Sequence, residues 1–242
     1  LHPRVRRQRQ MCIRDREIVE LANRLEHGFA KKNSYVSGII SIGASEAVGS
    51  RTFARLVKQF SDKYPLVQFH LYNETADNIR DRLDKGLVEI GLLLEPVDTS
   101  KYDYVRLIQK ETWGILMRDD HPLAGKDSIS PAEIVKYPLI LPLRERVRSE
   151  ILNWLNCNEK ELIIPLCYTL LSNAALMVEA GLGCAFCLDG ALAIHSSPRL
   201  RFVPISPEHT TRSVLVWKKD NLFSRAAALF IQEINSLRFL EE

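Results

Sequence analysis

The chain has no apolar run approaching the roughly eighteen residues that a membrane-spanning helix needs. Its arginine-rich amino end also lacks the apolar stretch of a secretory signal, so a cytoplasmic location and no membrane partner are expected. Catalytic signatures are scarce. The six histidines (His2, His27, His70, His121, His195 and His209) form no H-x-x-x-H pair and no Cys/His metal spacing. No G-x-S-x-G elbow is present. Gly181-Leu182-Gly183 ends a helical pattern and enters a strand, the reverse of the order in a dinucleotide fingerprint. The expectation is therefore no metal, no cofactor and no enzyme. Cysteine is sparse: outside Cys12 there are Cys157, Cys167, Cys184 and Cys187. Cys184-x-x-Cys187 falls in an apolar strand, where an odd spacing sends the two thiols to opposite faces. They read as small buried hydrophobes rather than as a metal or redox pair.

What the chain does have is 242 residues, 46% of them hydrophobic, enough for one bilobed domain or two small ones. The net charge of +3 is misleading as a nucleic-acid signal. Residues 1–16 hold six arginines against one aspartate, which leaves the remaining residues at −2. Met11-Cys12-Ile13-Arg14-Asp15-Arg16 resembles translated adapter sequence, so residues 1–16 are expected to be a non-native tail.

Residues 38–94 alternate strand, helix, strand, helix, strand. Phe53, Leu56, Val57 and Phe60 share one helical face, and Tyr64-Pro65 ends that helix. Val67, Phe69 and Leu71 alternate with polar residues in a half-buried strand. A second helix carries Ile79 and Leu83 and stops at Lys85-Gly86, where glycine suits a left-handed cap. Glu89–Leu94 is the apolar run of a central parallel strand.

A second αβ pattern follows a long extended stretch, Tyr104 to Met117, interrupted at Gln109-Lys110-Glu111. It contains the strand Trp113–Met117 and a capping box, Ser130-Pro131-Ala132-Glu133. Strands are expected at Leu139–Leu141, Leu162–Cys167 and Cys184–Leu188, with helices at 147–156 and Ser172–Ala180. Extended Arg201–Ile205 and Ser213–Trp217 precede a closing amphipathic helix that shows Phe223, Ala227, Phe230, Ile234 and Leu237. Before all of this, a helix over 17–34 places Ile18, Leu21, Leu25 and Phe29 in a narrow seam that calls for a partner helix. The expected fold class is α/β, with two Rossmann-like lobes joined by two crossover strands. Lobe I spans 35–110 and returns over 206–242, and lobe II spans 111–205. A ligand cleft is expected between them.

These motifs carry a family likeness. Ser37-Gly38-x-x-x-Ile42-Gly43, Phe60-x-x-x-Tyr64-Pro65, Leu83-x-x-Gly86-x-x-x-Ile90-Gly91, His121-Pro122-Leu123 and Met177-Val178-Glu179-Ala180-Gly181-Leu182-Gly183 resemble, in this order, a LysR-type transcriptional regulator. The likeness covers about residues 17–238. It implies an effector-binding domain of the type II periplasmic-binding-protein kind, behind a linker helix that dimerises. The family's winged helix-turn-helix head would stand before residue 17, so the chain is expected to be truncated there and promoter DNA to be contacted through that head alone. A homodimer or homotetramer and a small-molecule effector are the implied partners. Glu89 stands where the family often has aspartate, and Glu74 where it often has glycine. The rival readings are a solute-binding protein of a transport system, which shares the fold, and an enzyme such as a dehydratase on the same scaffold.

Candidate ligand residues lie in loops after strands. Ser45 follows the first strand, where its hydroxyl and nearby N–H groups suit a carboxylate or other anion, or else a plain cap. Thr75 opens the second helix with the same two readings, and Glu74 beside it opposes an anion. Thr169, Ser172 and Asn173 are expected to face the cleft from lobe II. Arg144, Arg146 and Arg148 fit either a carboxylate clamp or a solvated face. His70 and the Asp119-Asp120 pair read as solvated surface groups.

Overall fold

The computed structural model describes residues 36–46, 49–98, 100–190 and 197–236. The seam residues Ile18, Leu21, Leu25 and Phe29, the tail 1–16 and Leu237 lie outside them. In chain order the elements are β1 (Ser37–Ala44), α1 (Gly49–Lys63), β2 (Leu66–Asn73), α2 (Ala76–Asp84), β3 (Ile90–Leu94) and β4 (Tyr102–Arg118). Next come α3 (Pro131–Ile134), β5 (Leu139–Pro142), α4 (Glu145–Leu155), β6 (Leu166–Tyr168), α5 (Leu171–Glu179) and β7 (Cys184–Leu188). The last three are β8 (Leu200–Pro204), β9 (Thr210–Lys218) and α6 (Arg225–Ser236).

The strands follow the order β2-β1-β3-β9-β4-β7-β5-β6, with β8 also on β4. β1 is parallel to β2 and β3, as helix-linked neighbours should be. β3 is parallel on that side only, because β9 lies antiparallel on its other edge. β4 is the long crossing strand. Its first half pairs with β9 and its second half with β7 and β8, with a register shift between Arg106 and Lys110. That shift coincides with the polar interruption expected at Gln109-Lys110-Glu111.

Each lobe has its own core. In lobe I, α1 and α6 bring Phe53, Phe60 and Phe230 against Ile40, Ile42 and Phe69 on one sheet face. Phe230 meets Phe60 edge-on at 4.9 Å and Phe69 at 5.3 Å, contacts each worth about 1 kcal/mol beyond their buried area. On the other face, Ile79 and Leu83 of α2 pack on Leu93, Tyr102, Val214 and Val216. In lobe II, α3 and α4 cover the face holding Ile115, Leu139, Leu141 and Phe186. Helix α5 covers the opposite face with Leu171, Ala174 and Val178. Cys184 lies in the first of these layers and Cys187 in the second, so the two thiols diverge as expected. Burial pushes the Cys184 thiol up to about 11 and that of Cys187 further still.

Local punctuation follows the sequence closely. Gly86 has φ +69° after α2. At α3 the Glu133 carboxylate accepts from the Ser130 N–H at 2.9 Å, with Pro131 in the first helical position. Two expectations are corrected. β6 starts at Leu166 and not Leu162, because Pro165 has no N–H to give a ladder. Leu71 is 56% exposed, since β2 is an edge strand and the aromatic layer reaches only as far as Phe69. The Glu89 departure has a structural use. Its buried carboxylate accepts from the Ser41 N–H at 3.2 Å and the Ser224 N–H at 3.4 Å, tying β1 to the start of α6.

Candidate functional site

Loops at the carboxyl ends of β1, β2, β5 and β6 converge between the lobes, where an open αβ sheet offers its ligand crevice. They enclose a cavity of about 300 Å³. Trp113, Leu143, Val147 and Leu188 supply much of its apolar wall. Ser45, Thr75 and Thr169 line it, as do the charged residues Glu46, Glu74, Asp77 and Arg144.

Ser45 follows β1 and is almost buried. Its hydroxyl donates to the Leu92 carbonyl at 3.0 Å, as does its own N–H at 3.0 Å, so one bonded pair locks the end of β1 to β3. The hydroxyl lone pairs remain able to accept. Thr75 is the N-cap of α2 and accepts from the Asn78 N–H at 3.4 Å. Thr169, just after β6, is exposed, and its hydroxyl makes no hydrogen bond among the described residues. Ser172 and Asn173 do not line the cavity. Ser172 is turned onto Glu46, and Asn173 is exposed on α5.

Glu46 is the residue that sequence reasoning missed. Helix α5 begins with Leu170 at its N-cap, which has no side chain able to accept from the first amides. Glu46, from the opposite lobe, fills that role. Its Oε2 accepts from the Leu171 N–H at 2.6 Å, and its Oε1 accepts from the Ser172 hydroxyl. A carboxylate at a helix N-terminus is favoured by both the free N–H groups and the helix dipole. No sequence-local signal exists for it, because donor and acceptor stand about 125 positions apart.

A second contact bridges the lobes on the same cavity. Arg144, at the N-cap position of α4, places Nε 3.4 Å from Asp77 Oδ2 on α2. Arg146 and Arg148 turn instead to Glu150 and Glu159 within lobe II, each at 3.7 Å. Behind the cavity wall, Arg82 holds Glu74 at 2.8 Å and its guanidinium lies 4.7 Å from the Tyr72 ring centre. Tyr168 donates to the Phe186 carbonyl at 2.5 Å. Burial chiefly, then the nearby Cys187 and Glu46, hold its phenol well above the ordinary range. His70, Asp119 and Asp120 are exposed and stand apart from the cavity. Among the described residues no group of three or more His, Cys, Asp or Glu side chains is placed to hold a metal ion. No helix among them is long and apolar enough to cross a membrane.

Known proteins agree with this architecture. Residues 33–237 match the LysR substrate binding domain. An uncharacterized HTH-type transcriptional regulator, YvbU of Bacillus subtilis, is 26% identical over 133 residues, 55% of this chain and 44% of that protein. The chain thus spans less than half the length of that relative. Among solved structures, the regulatory domain of Synechocystis PCC6803 CcmR, in complex with 2-PG, superposes with a TM-score of 0.67 at 18% identity. That match covers 83% of this chain and 97% of the other. A LysR family regulator from Pseudomonas aeruginosa superposes with a TM-score of 0.64 at 19% identity, covering 95% of this chain and 81% of that one. These folds are of the type II periplasmic-binding-protein kind, and the relatives are regulators rather than transport proteins. The chain belongs to the LysR substrate-binding-domain family.

Proposed function

We propose that the interlobe cavity binds a small-molecule effector and that the effector's preference for one lobe arrangement is the signal. The observation that carries this reading is a cavity of about 300 Å³ walled by both lobes, with the Glu46 and Asp77–Arg144 contacts crossing between them beside it. A ligand there changes the lobe equilibrium by its differential affinity for the two arrangements. Ser45, Thr75 and Thr169 are the proposed polar anchors, and Ser172 and Asn173 act only if the Glu46 contact opens.

The wall chemistry narrows the effector. Glu74 and Asp77 carry arginine partners, whereas Glu46 already occupies the amide position at the α5 N-terminus. Three carboxylates and one guanidinium line the cavity, which favours an apolar body with a hydroxyl, amide or amine head over a phosphate or dicarboxylate. The protein is proposed to be a regulator and not an enzyme. Residues 17–34 would join copies through Ile18, Leu21, Leu25 and Phe29, and promoter DNA would be read by a helix-turn-helix head outside this chain. Relative lobe movement would then reset the spacing of such heads on two half-sites.

A thermal-shift screen over metabolites tests this reading, since a ligand at 100 times its Kd stabilises by about 2.7 kcal/mol. Neutral or amine-bearing compounds are expected to raise the melting temperature. A screen in which no compound does so overturns effector sensing, and one in which only phosphates do so overturns the assigned class.

A further inference from the structure

The charges on the wall of the interlobe cavity are not all balanced. Arg82 holds Glu74 at 2.8 Å, and Asp77 has both Arg80 and Arg144 as partners, the latter at 3.4 Å. Glu46 is different. The two groups it accepts from, the Leu171 N–H and the Ser172 hydroxyl, are neutral, and no cation pairs with it among the described residues. It is half-buried on the cavity wall, and a carboxylate partly withdrawn from water is costly until a counter-charge meets it.

The hydrogen-bonding capacity beside Glu46 has the same bias. Ser45 has committed its hydroxyl proton to the Leu92 carbonyl, so its side chain offers the cavity lone pairs alone. A carboxylate is acceptor-only as well, with about four lone-pair positions, of which Glu46 uses two. Two consecutive wall residues thus present side-chain acceptors and no side-chain donors. The amides that would welcome an anion are taken. Ser45 N–H goes to the Leu92 carbonyl and Leu171 N–H to Glu46. Gly49 N–H, at the start of α1, goes to buried Glu111 at 3.3 Å. Arg144, the cation among the lining residues, is held by Asp77.

We propose that Glu46 selects a cationic effector: a small molecule with an apolar body and a protonated primary amine. The ammonium donates to the open positions of the Glu46 carboxylate and to the Ser45 hydroxyl, while Trp113, Leu143, Val147 and Leu188 take the body. An ammonium has three N–H donors and no acceptor, the complement of this wall. Charge-assisted bonds of this kind are about twice as strong as neutral ones. The amine adds to the Glu46 bonds at the start of α5 without displacing them, so it favours the lobe arrangement in which that contact is made. This assignment deepens the effector reading and rests on it.

The test is a calorimetric titration of the whole chain with compounds of similar shape and different head charge: 2-phenylethylamine, 2-phenylethanol and 3-phenylpropanoate. The amine is expected to bind about tenfold more tightly than the alcohol, the factor that about 1.4 kcal/mol of charge-assisted bonding gives. The carboxylate is expected to bind more weakly than the alcohol. Backbone amide shifts at Ser45, Glu46 and Leu171 should saturate with the amine. Glu46→Gln keeps an acceptor oxygen for the Leu171 N–H and removes the charge, so the amine should fall about tenfold, to the affinity of the alcohol. An alcohol that binds as tightly as the amine, a carboxylate that binds most tightly, or an amine that keeps its affinity in Glu46→Gln overturns the charge assignment and leaves a cleft that binds effectors. Amine binding without shifts at those amides, or no binding by any of these compounds, overturns it too, and the metabolite screen then decides the effector reading on its own. The comparison of head groups is made on the unaltered chain, so it stands even if the variant folds poorly.

Discussion

Helices α2 and α5 both start at the cleft, one in each lobe, and they are capped in opposite ways. Thr75 caps α2 from its own position, with its hydroxyl on the Asn78 N–H. Leu170 cannot cap α5, and the acceptor is Glu46 from the other lobe. The first cap survives any lobe movement. The second exists only while the lobes keep this arrangement, so the capping of α5 is coupled to the closure of the cleft. A lobe-spanning cap thus ties the start of α5 to the position of the opposite lobe.

The largest expected effect comes from removing the lobe-spanning cap. Glu46→Ala should cost about 2 kcal/mol in urea unfolding, the range for a hydrogen bond to a charged group. It should also widen the distribution of lobe separations seen by small-angle scattering. The companion variant Leu170→Asp in the Glu46→Ala background gives α5 a cap of its own. It should restore about 1 kcal/mol without restoring the compact scattering profile. Recovery of both would mean that Glu46 supports the helix and not the lobe arrangement.

Thr75→Ala comes next, with an expected loss of about 1 kcal/mol and no change in lobe separation. A scattering change there would erase the contrast between the two caps. Smaller again is Arg144→Ala. Its ion pair with Asp77 is half exposed, so about 0.5 kcal/mol or less is expected, and that loss should fade further at high salt.

The smallest effect is a pH slope far from the cleft. Burial holds the His121 imidazole below its ordinary value, with Asp120 opposing. Its folded-state pKa is thus below the unfolded one, and the unfolded chain binds the proton first as pH falls. The stability it supports is present above about pH 6.5 and declines below it, toward the folded pKa. His121→Asn, which offers an acceptor where Nδ1 now takes the Leu123 N–H, should flatten the melting-temperature slope between about pH 7 and 5.

What was legible in the sequence is what is local or periodic. The helical face of Phe53, Leu56 and Phe60, the Gly86 turn and the Ser130–Glu133 box are all written within a few residues. The β4 interruption was visible as a polar break in an apolar run. Errors arose where position in the sheet decides. Leu71 alternates as a core residue would, yet lies exposed on an edge strand, and Pro165 silently shortens β6. At the site, loops after strands pointed to Ser45, Thr75 and Thr169, but not to the contact that crosses the lobes. Trp113 read as a strand residue and gave no hint that it walls three cavities. Nothing in the sequence marks Glu46, because its partner lies far along the chain.

The most direct test of the effector account maps backbone amide shifts while the tightest compound from the screen is titrated in. The account predicts saturable shifts in both lobes together, at Ser45 and Thr75 on one side and at Thr169, Leu171 and Leu188 on the other. Shifts confined to one lobe, or lying away from this cavity altogether, would contradict it.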